Sequence, residues 1–230
     1  MVRTAAALII AIALAATAAA QGMAAQDPPD LQGKLYKTVF VQGAGTLTPS
    51  DLAKLPEAVR ARLQRVLERR SAFTSRLKGG ASDPAAVAVE AKKRRLEAGI
   101  VALLDAPGIE QLAADFAESA TVAHQWDGGP DGPLGEAAGA EDFLKRDPAT
   151  PLAPYLYVLI AARQRAAFET MKAPADKAAM AAAAKKYRTF MQRARAAGDP
   201  VFRLLADDME RLPYLHVKSE HHPRDFDPDS

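Results

Sequence analysis

Fifty-one of the 230 residues are alanine, while phenylalanine, tyrosine and tryptophan together make up 6%. Alanine loses no side-chain entropy in a helix and lets helices approach closely, whereas sheets draw on β-branched and aromatic side chains. The composition therefore points to close-packed helices, and the length to one domain with a sizeable core. With 49% hydrophobic and 25% charged residues, the chain has a globular balance. It contains no cysteine. That excludes disulfides, thiolate chemistry and cysteine-ligated zinc or iron–sulfur centres.

Residues 1–20 have the layout of a secretory signal peptide: Arg3, an apolar run from Ala5 through Ala16, and the small residues Ala18-Ala19-Ala20 before Gln21. The run is shorter than the ~20 apolar residues of a spanning helix. Cleavage is expected there, or at the second small-residue site before Gln26. With no cysteine there is no lipid anchor, and no membrane span is expected after cleavage. The expected location is periplasmic or secreted.

Residues 21–47 read as a leader followed by an extended segment. Leu35-Tyr36-Lys37-Thr38-Val39-Phe40-Val41 is the stretch richest in β-branched and aromatic residues, so a lone strand or arm is expected there. Residues 48–212 carry helical punctuation. Ser50-Asp51 caps a short turn, and seven helices follow: Pro56 to Leu77, Ser82 to Asp105, Gly108 to Trp126, Leu134 to Arg146, Ala153 to Met171, Pro174 to Ala197, and Pro200 to Arg211 behind an Asp199 cap. The expected fold is all-α, a single domain of about seven helices in hairpins, as a bundle or a short solenoid-like array. Residues 213–230 are polar and punctuated by proline, and read as a C-terminal tail, with Tyr214 to Val217 a second extended candidate.

Charge is segregated along the chain. Residues 53–95 hold 12 Lys/Arg against 4 Asp/Glu, residues 96–144 hold 10 acids and no Lys/Arg, and residues 145–198 hold 11 Lys/Arg against 3 acids. Acidic helices packed between basic ones would lower self-repulsion. The basic run Lys92-Lys93-Arg94-Arg95 lacks interleaved aromatics, and export removes nucleic-acid partners, so none is expected.

Glu136-Ala137-Ala138, Ala140-Glu141, Phe143-Leu144 and Asp147-Pro148, followed by Leu156, Tyr157, Leu159 and Ala162, resemble a tetratricopeptide-type helical hairpin. A fainter echo spans Ala183-Ala184, Tyr187, Phe190 and Asp199-Pro200. The strings Ser50-Asp51-Leu52, Leu55-Pro56, Arg60-Ala61-Arg62-Leu63 and Thr150-Pro151-Leu152-Ala153-Pro154-Tyr155-Leu156-Tyr157 are similar to an uncharacterised exported bacterial all-helical family. That resemblance implies a fold and a compartment, not a reaction.

Two constellations stand out as candidate sites. Leu152 to Ala162 is apolar all round apart from its tyrosine hydroxyls, so the helix that follows is expected to be the central one. Arg163 then continues an inward stripe and needs a carboxylate or a ligand anion, with Glu136, Glu141 and Glu169 the nearest partners in sequence. Trp126, Tyr155 and Tyr157 are aromatic candidates for lining a groove. The second constellation is His216, Glu220, His221 and His222, whose imidazoles and carboxylate suit a divalent transition metal. Pro213 and Pro223 bracket that segment, so weak adventitious binding is expected and no resident cofactor. His124 beside Trp126 reads as a helix-end histidine. Gly-x-Ser-x-Gly, His-Glu-x-x-His and phosphate-loop spacings are missing. These residues point to a non-catalytic exported interaction module whose partner is another envelope protein. The alternative is a metal-binding or metal-dependent envelope protein using the C-terminal histidines.

Overall fold

The computed structural model describes residues 31–40, 47–76, 84–104, 106–122, 128–172 and 175–212. Among them it contains nine helices: α1 (Lys34–Phe40), α2 (Pro49–Ala53), α3 (Glu57–Arg76), α4 (Pro84–Leu103), α5 (Ile109–Ser119), α6 (Asp131–Arg146), α7 (Ala153–Thr170), α8 (Lys177–Ala196) and α9 (Pro200–Glu210). They form a single all-α domain, as expected from the alanine-rich composition. No described helix is long and apolar enough to cross a membrane.

Local chemistry accounts for several boundaries. Thr48 and Asp51 form a reciprocal capping box at α2, with Pro49 at the first helical position. The Asp199 side chain accepts from Val201 N at 2.9 Å and starts α9. The helix expected from Leu134 begins a turn earlier, at Asp131, which places an acidic residue at the positive end of the helix dipole.

The segment expected to be an extended strand is helix α1. Its apolar and aromatic side chains are core contacts: Leu35, Tyr36 and Thr38 are fully buried, and Tyr36 and Phe40, one turn apart, meet at a 5.5 Å centroid distance. A preference for strand reflects side-chain packing more than backbone, and here tertiary packing decides the outcome. The first turn is capped from far along the chain. Asp208, on α9, accepts from Gly33 N at 2.8 Å and from Tyr36 N at 2.9 Å. Gly33 has φ +77°, and a Cβ there would meet the Leu212 side chain at 2.5 Å, so glycine suits both the turn and the close approach. The segment 34–40, expected to lie before the helical domain, is thus a helix packed into the same core as the helices after residue 48. Tyr214 to Val217 lie outside the described residues.

Helices adjacent in sequence pack as hairpins. Helix α4 packs on α3 and α5, and α7 packs on α6 and α8, with α9 closing on α7, α8 and α1. As expected, α7 is the central helix, buried over Tyr155, Leu156, Val158 to Ala162 and Gln164 to Glu169. The charge blocks meet across these contacts. Lys93 on α4 reaches Glu118 on α5 at 2.9 Å, and Lys186 on α8 reaches Glu141 on α6 at 2.7 Å. Arg62 ties three elements together, pairing with Asp199 at 2.9 Å and donating to the Leu103 carbonyl.

Two carboxylates hold α1, and they titrate in opposite senses. Hydrogen bonds from the Thr48 backbone and hydroxyl, and then from Lys34, hold Asp51 well below the usual carboxylate range. Its contribution to stability is present above about pH 3.9, the ordinary value, and is lost as the pH falls below it. Burial pushes the Asp208 carboxyl up, against the pull of the Tyr36 and Gly33 N–H groups. Its proton-linked contribution is complete below about pH 3.9 and declines as the pH rises through the raised value. In urea denaturation at neutral pH, Asp208→Ala should lose about 1–3 kcal/mol for each backbone N–H left buried and unsatisfied. Asp51→Asn should flatten the acid side of the stability profile below pH ~4. A neutral effect of Asp208→Ala would mean that α1 is not held in this way.

Candidate functional site

Helical spacing gathers one set of side chains beneath α1. On α4, Lys92, Arg95, Leu96 and Gly99 recur at three and four and so share a face, and on α7 Tyr155, Leu159 and Arg163 recur at four. These two faces look onto a cavity of about 260 Å³. Val39 and Phe40 of α1 and Val66 of α3 contribute apolar wall. Phe116, Ala120, Thr121 and Val122 from the end of α5, with Glu136 of α6, complete the lining. Phe40 packs on Tyr155 at 5.5 Å, and Phe116 meets Phe143 edge-on at 5.2 Å, so the aromatic walls are fixed by packing. Gly99 leaves room: a Cβ built there would lie 3.8 Å from the Tyr155 hydroxyl.

Among the described lining residues the charged groups are Lys92, Arg95, Arg163 and Glu136. Arg163 forms an ion pair through Nε with Glu136 Oε2, and their side chains are 21% and 19% exposed. Burial pulls the Arg163 guanidinium down, and Glu136 together with the Tyr36 and Tyr155 hydroxyls more than offsets this, so its pKa moves up and its charge is fixed. Burial drives both phenols well above their ordinary range, despite the nearby Arg163 charge. Tyr155 thus presents a protonated hydroxyl at neutral pH.

The sequence candidates separate into two groups. Tyr155, Arg163 and Glu136 come together at the cavity. Tyr157 is not among the lining residues and packs on Phe190 at 6.1 Å, under the Arg193 guanidinium. Glu141 binds Lys186 at 2.7 Å and accepts from the Gln164 amide at 3.4 Å, so it is not the Arg163 partner. Glu169 pairs with Arg165. Trp126, His124 and the tail residues His216, Glu220, His221 and His222 lie outside the described residues. Among the described residues there is no group of three or more His, Asp or Glu side chains placed to hold a metal ion.

Two features escaped the sequence reading. Lys92 and Arg95 belong to a basic run that marks no site by itself, and their three-residue spacing with Gly99 and Leu96 is the signal that places them on one wall. Arg165 is the deeply buried arginine, 4% exposed. It bonds Glu169 at 3.0 Å and the Met209 carbonyl at 2.8 Å, and also donates to the Leu212 carbonyl. An Arg–Glu pair four residues apart on the helix expected to be central is its sequence signature. In comparisons with protein-family models, curated proteins and solved structures, no match was found.

The two arginines should respond differently to truncation. Arg165→Met leaves Glu169 buried without its cation and should cost ~3–5 kcal/mol in chemical denaturation. Arg163→Met should cost less, between that figure and the ~0–1 kcal/mol of an exposed pair. The reverse order would show that the cavity arginine, not Arg165, anchors the fold.

Proposed function

We propose that this chain is an exported, non-catalytic binding module of the bacterial envelope that engages its partner through the cavity under α1. The observation that carries this reading is the convergence of Lys92, Arg95 and Arg163 on a cavity walled by Phe40, Phe116 and Tyr155. Fixed cations and a protonated phenol bind anionic groups, and the one carboxylate of the described lining is engaged with Arg163. Apolar walls with a few convergent polar groups are the ordinary form of a ligand site. Export rests on the layout of residues 1–20, and the partner would be another envelope protein. The packing of α6 on α7 as adjacent antiparallel helices, with Ala137 and Ala140 buried, supports a tetratricopeptide-like relation.

Affinity capture from a bacterial envelope extract, using wild-type protein and Gly99→Leu in parallel, tests the reading. Leucine at position 99 fills the cavity and keeps every charge. Wild-type protein should retain a component that Gly99→Leu does not, and intact mass should place the N-terminus of the exported form between Gln21 and Gln26. Equal retention by both forms would contradict the binding role, and Met1 on periplasmic protein would contradict export.

A further inference from the structure

We infer that this chain associates with a second copy of itself, the outward face of α5 in one copy lying antiparallel against the outward face of α8 in the other. The residues that make this contact lie outside the described cavity lining, so it stands apart from the binding role proposed for the cavity.

The two helices are of opposite sign. Helix α5 carries Glu110, Asp115 and Glu118 and no Lys or Arg, whereas α8 carries six Lys or Arg and no Asp or Glu. Acids of the same chain already match two edges of α8: Lys186 pairs with Glu141 of α6, and Arg195 pairs with Asp207 and Glu210 of α9. Lys185 and Arg188 take no part in those pairs. They are exposed together with Gln192, on the side of α8 turned away from buried Tyr187 and Met191. On α5, Gln111, Asp115 and Glu118 are exposed in the same way, on the side turned away from buried Ala113 and Phe116.

Spacing sets the register. Gln111, Asp115 and Glu118 follow one another at four and then three residues, and so do Gln192, Arg188 and Lys185 read in the reverse direction. Laid antiparallel, the helices bring Asp115 to Arg188, Glu118 to Lys185 and Gln111 to Gln192. Both rise by about 1.5 Å per residue, so all three pairs stay level. A parallel arrangement keeps two ion pairs but sets Gln111 against Ala181, which gives up the amide pair. Contacts within the chain leave room for these. Glu118 holds Lys93 through Oε2 at 2.9 Å, and Asp115 accepts from the Gln111 amide through Oδ1 at 2.7 Å, and each carboxylate has a second oxygen to offer. Exposed ion pairs are individually weak and screened by salt, so the association is weak and strongest at low ionic strength. An anionic lipid surface would also attract Lys185 and Arg188, but it offers nothing to the acids of α5, whereas a second copy matches both faces.

Analytical ultracentrifugation of the full chain tests the contact, from about 10 µM to about 1 mM protein and at about 20 mM and about 500 mM salt. At low salt the weight-average mass should rise with concentration, and high salt should weaken the association by about tenfold or more. Lys185→Glu with Arg188→Glu makes both faces acidic, and Asp115→Lys with Glu118→Lys makes both basic. All four positions are exposed, and lysine suits the last turn of α5, so both double variants should keep their unfolding midpoints. Each alone should associate at least about tenfold more weakly than the wild type. Mixed in equal amounts, the two should associate again, because each face then meets one of opposite sign. A chain that stays monomeric at low salt, association undiminished in either double variant, or a mixture that behaves as the sum of its parts would each overturn the proposal. Phosphatidylglycerol vesicles provide the control for a lipid partner. A monomeric chain taken up by them, and released by Lys185→Glu with Arg188→Glu, would assign the α8 face to an anionic membrane surface instead of a second copy.

Discussion

A guanidinium enclosed within the central helix sets the terms for the rest of the structure. Arg165 cannot shed its charge, and α7 offers it almost no water, so its donors must all be met inside the protein. Glu169, one turn along, supplies the countercharge. The carbonyls of Met209 and Leu212, at the end of α9, supply further acceptors. Both carbonyls lie at the C-terminal end of α9, so one buried cation ties the central helix to that end. Tyr187 of α8 flanks it, with the guanidinium 5.7 Å from the ring centroid. The junction of α7, α8 and α9 is thus built around a charge.

The consequences pass outward through α9 to the cavity. With its C-terminal end held by Arg165, α9 presents Asp208 to the first turn of α1, and α1 in turn supplies Val39 and Phe40 to the cavity wall. Arg163 and Arg165 are two residues apart, close to opposite sides of a helix with 3.6 residues per turn. One therefore faces the α8–α9 junction and the other the space beneath α1. The same short stretch of α7 both fastens the wall and supplies a cation to the cavity it covers.

What could be read from the sequence was the local part. The central position of α7, the Asp199 cap and the pairing of Arg163 with a glutamate of the preceding helix all follow from helical spacing and capping chemistry. The choice of Glu136 over Glu141 did not, because it depends on the rotation of α6, which sends Glu141 toward Lys186 on α8. The sequence of α1 reads as extended because its cap, Asp208, lies far along the chain, and no window around Leu35 contains it. For a similar reason, Lys92 and Arg95 do not stand out from their basic run. Only the α7 face opposite them turns a basic stripe into a cavity wall. Non-local contacts account for each of these differences, and they are also the contacts that make the candidate site.

The dependence of α1 on the buried arginine is the central claim, and amide hydrogen exchange in Arg165→Met measures it most directly, under conditions where the variant remains folded. Protection of the α1 amides from Tyr36 to Phe40 should fall together with that of α9, while the α3–α4 hairpin keeps its wild-type protection. If α1 stayed as protected as in the wild type while α9 loosened, the cavity wall would not be fastened through Arg165 and Asp208.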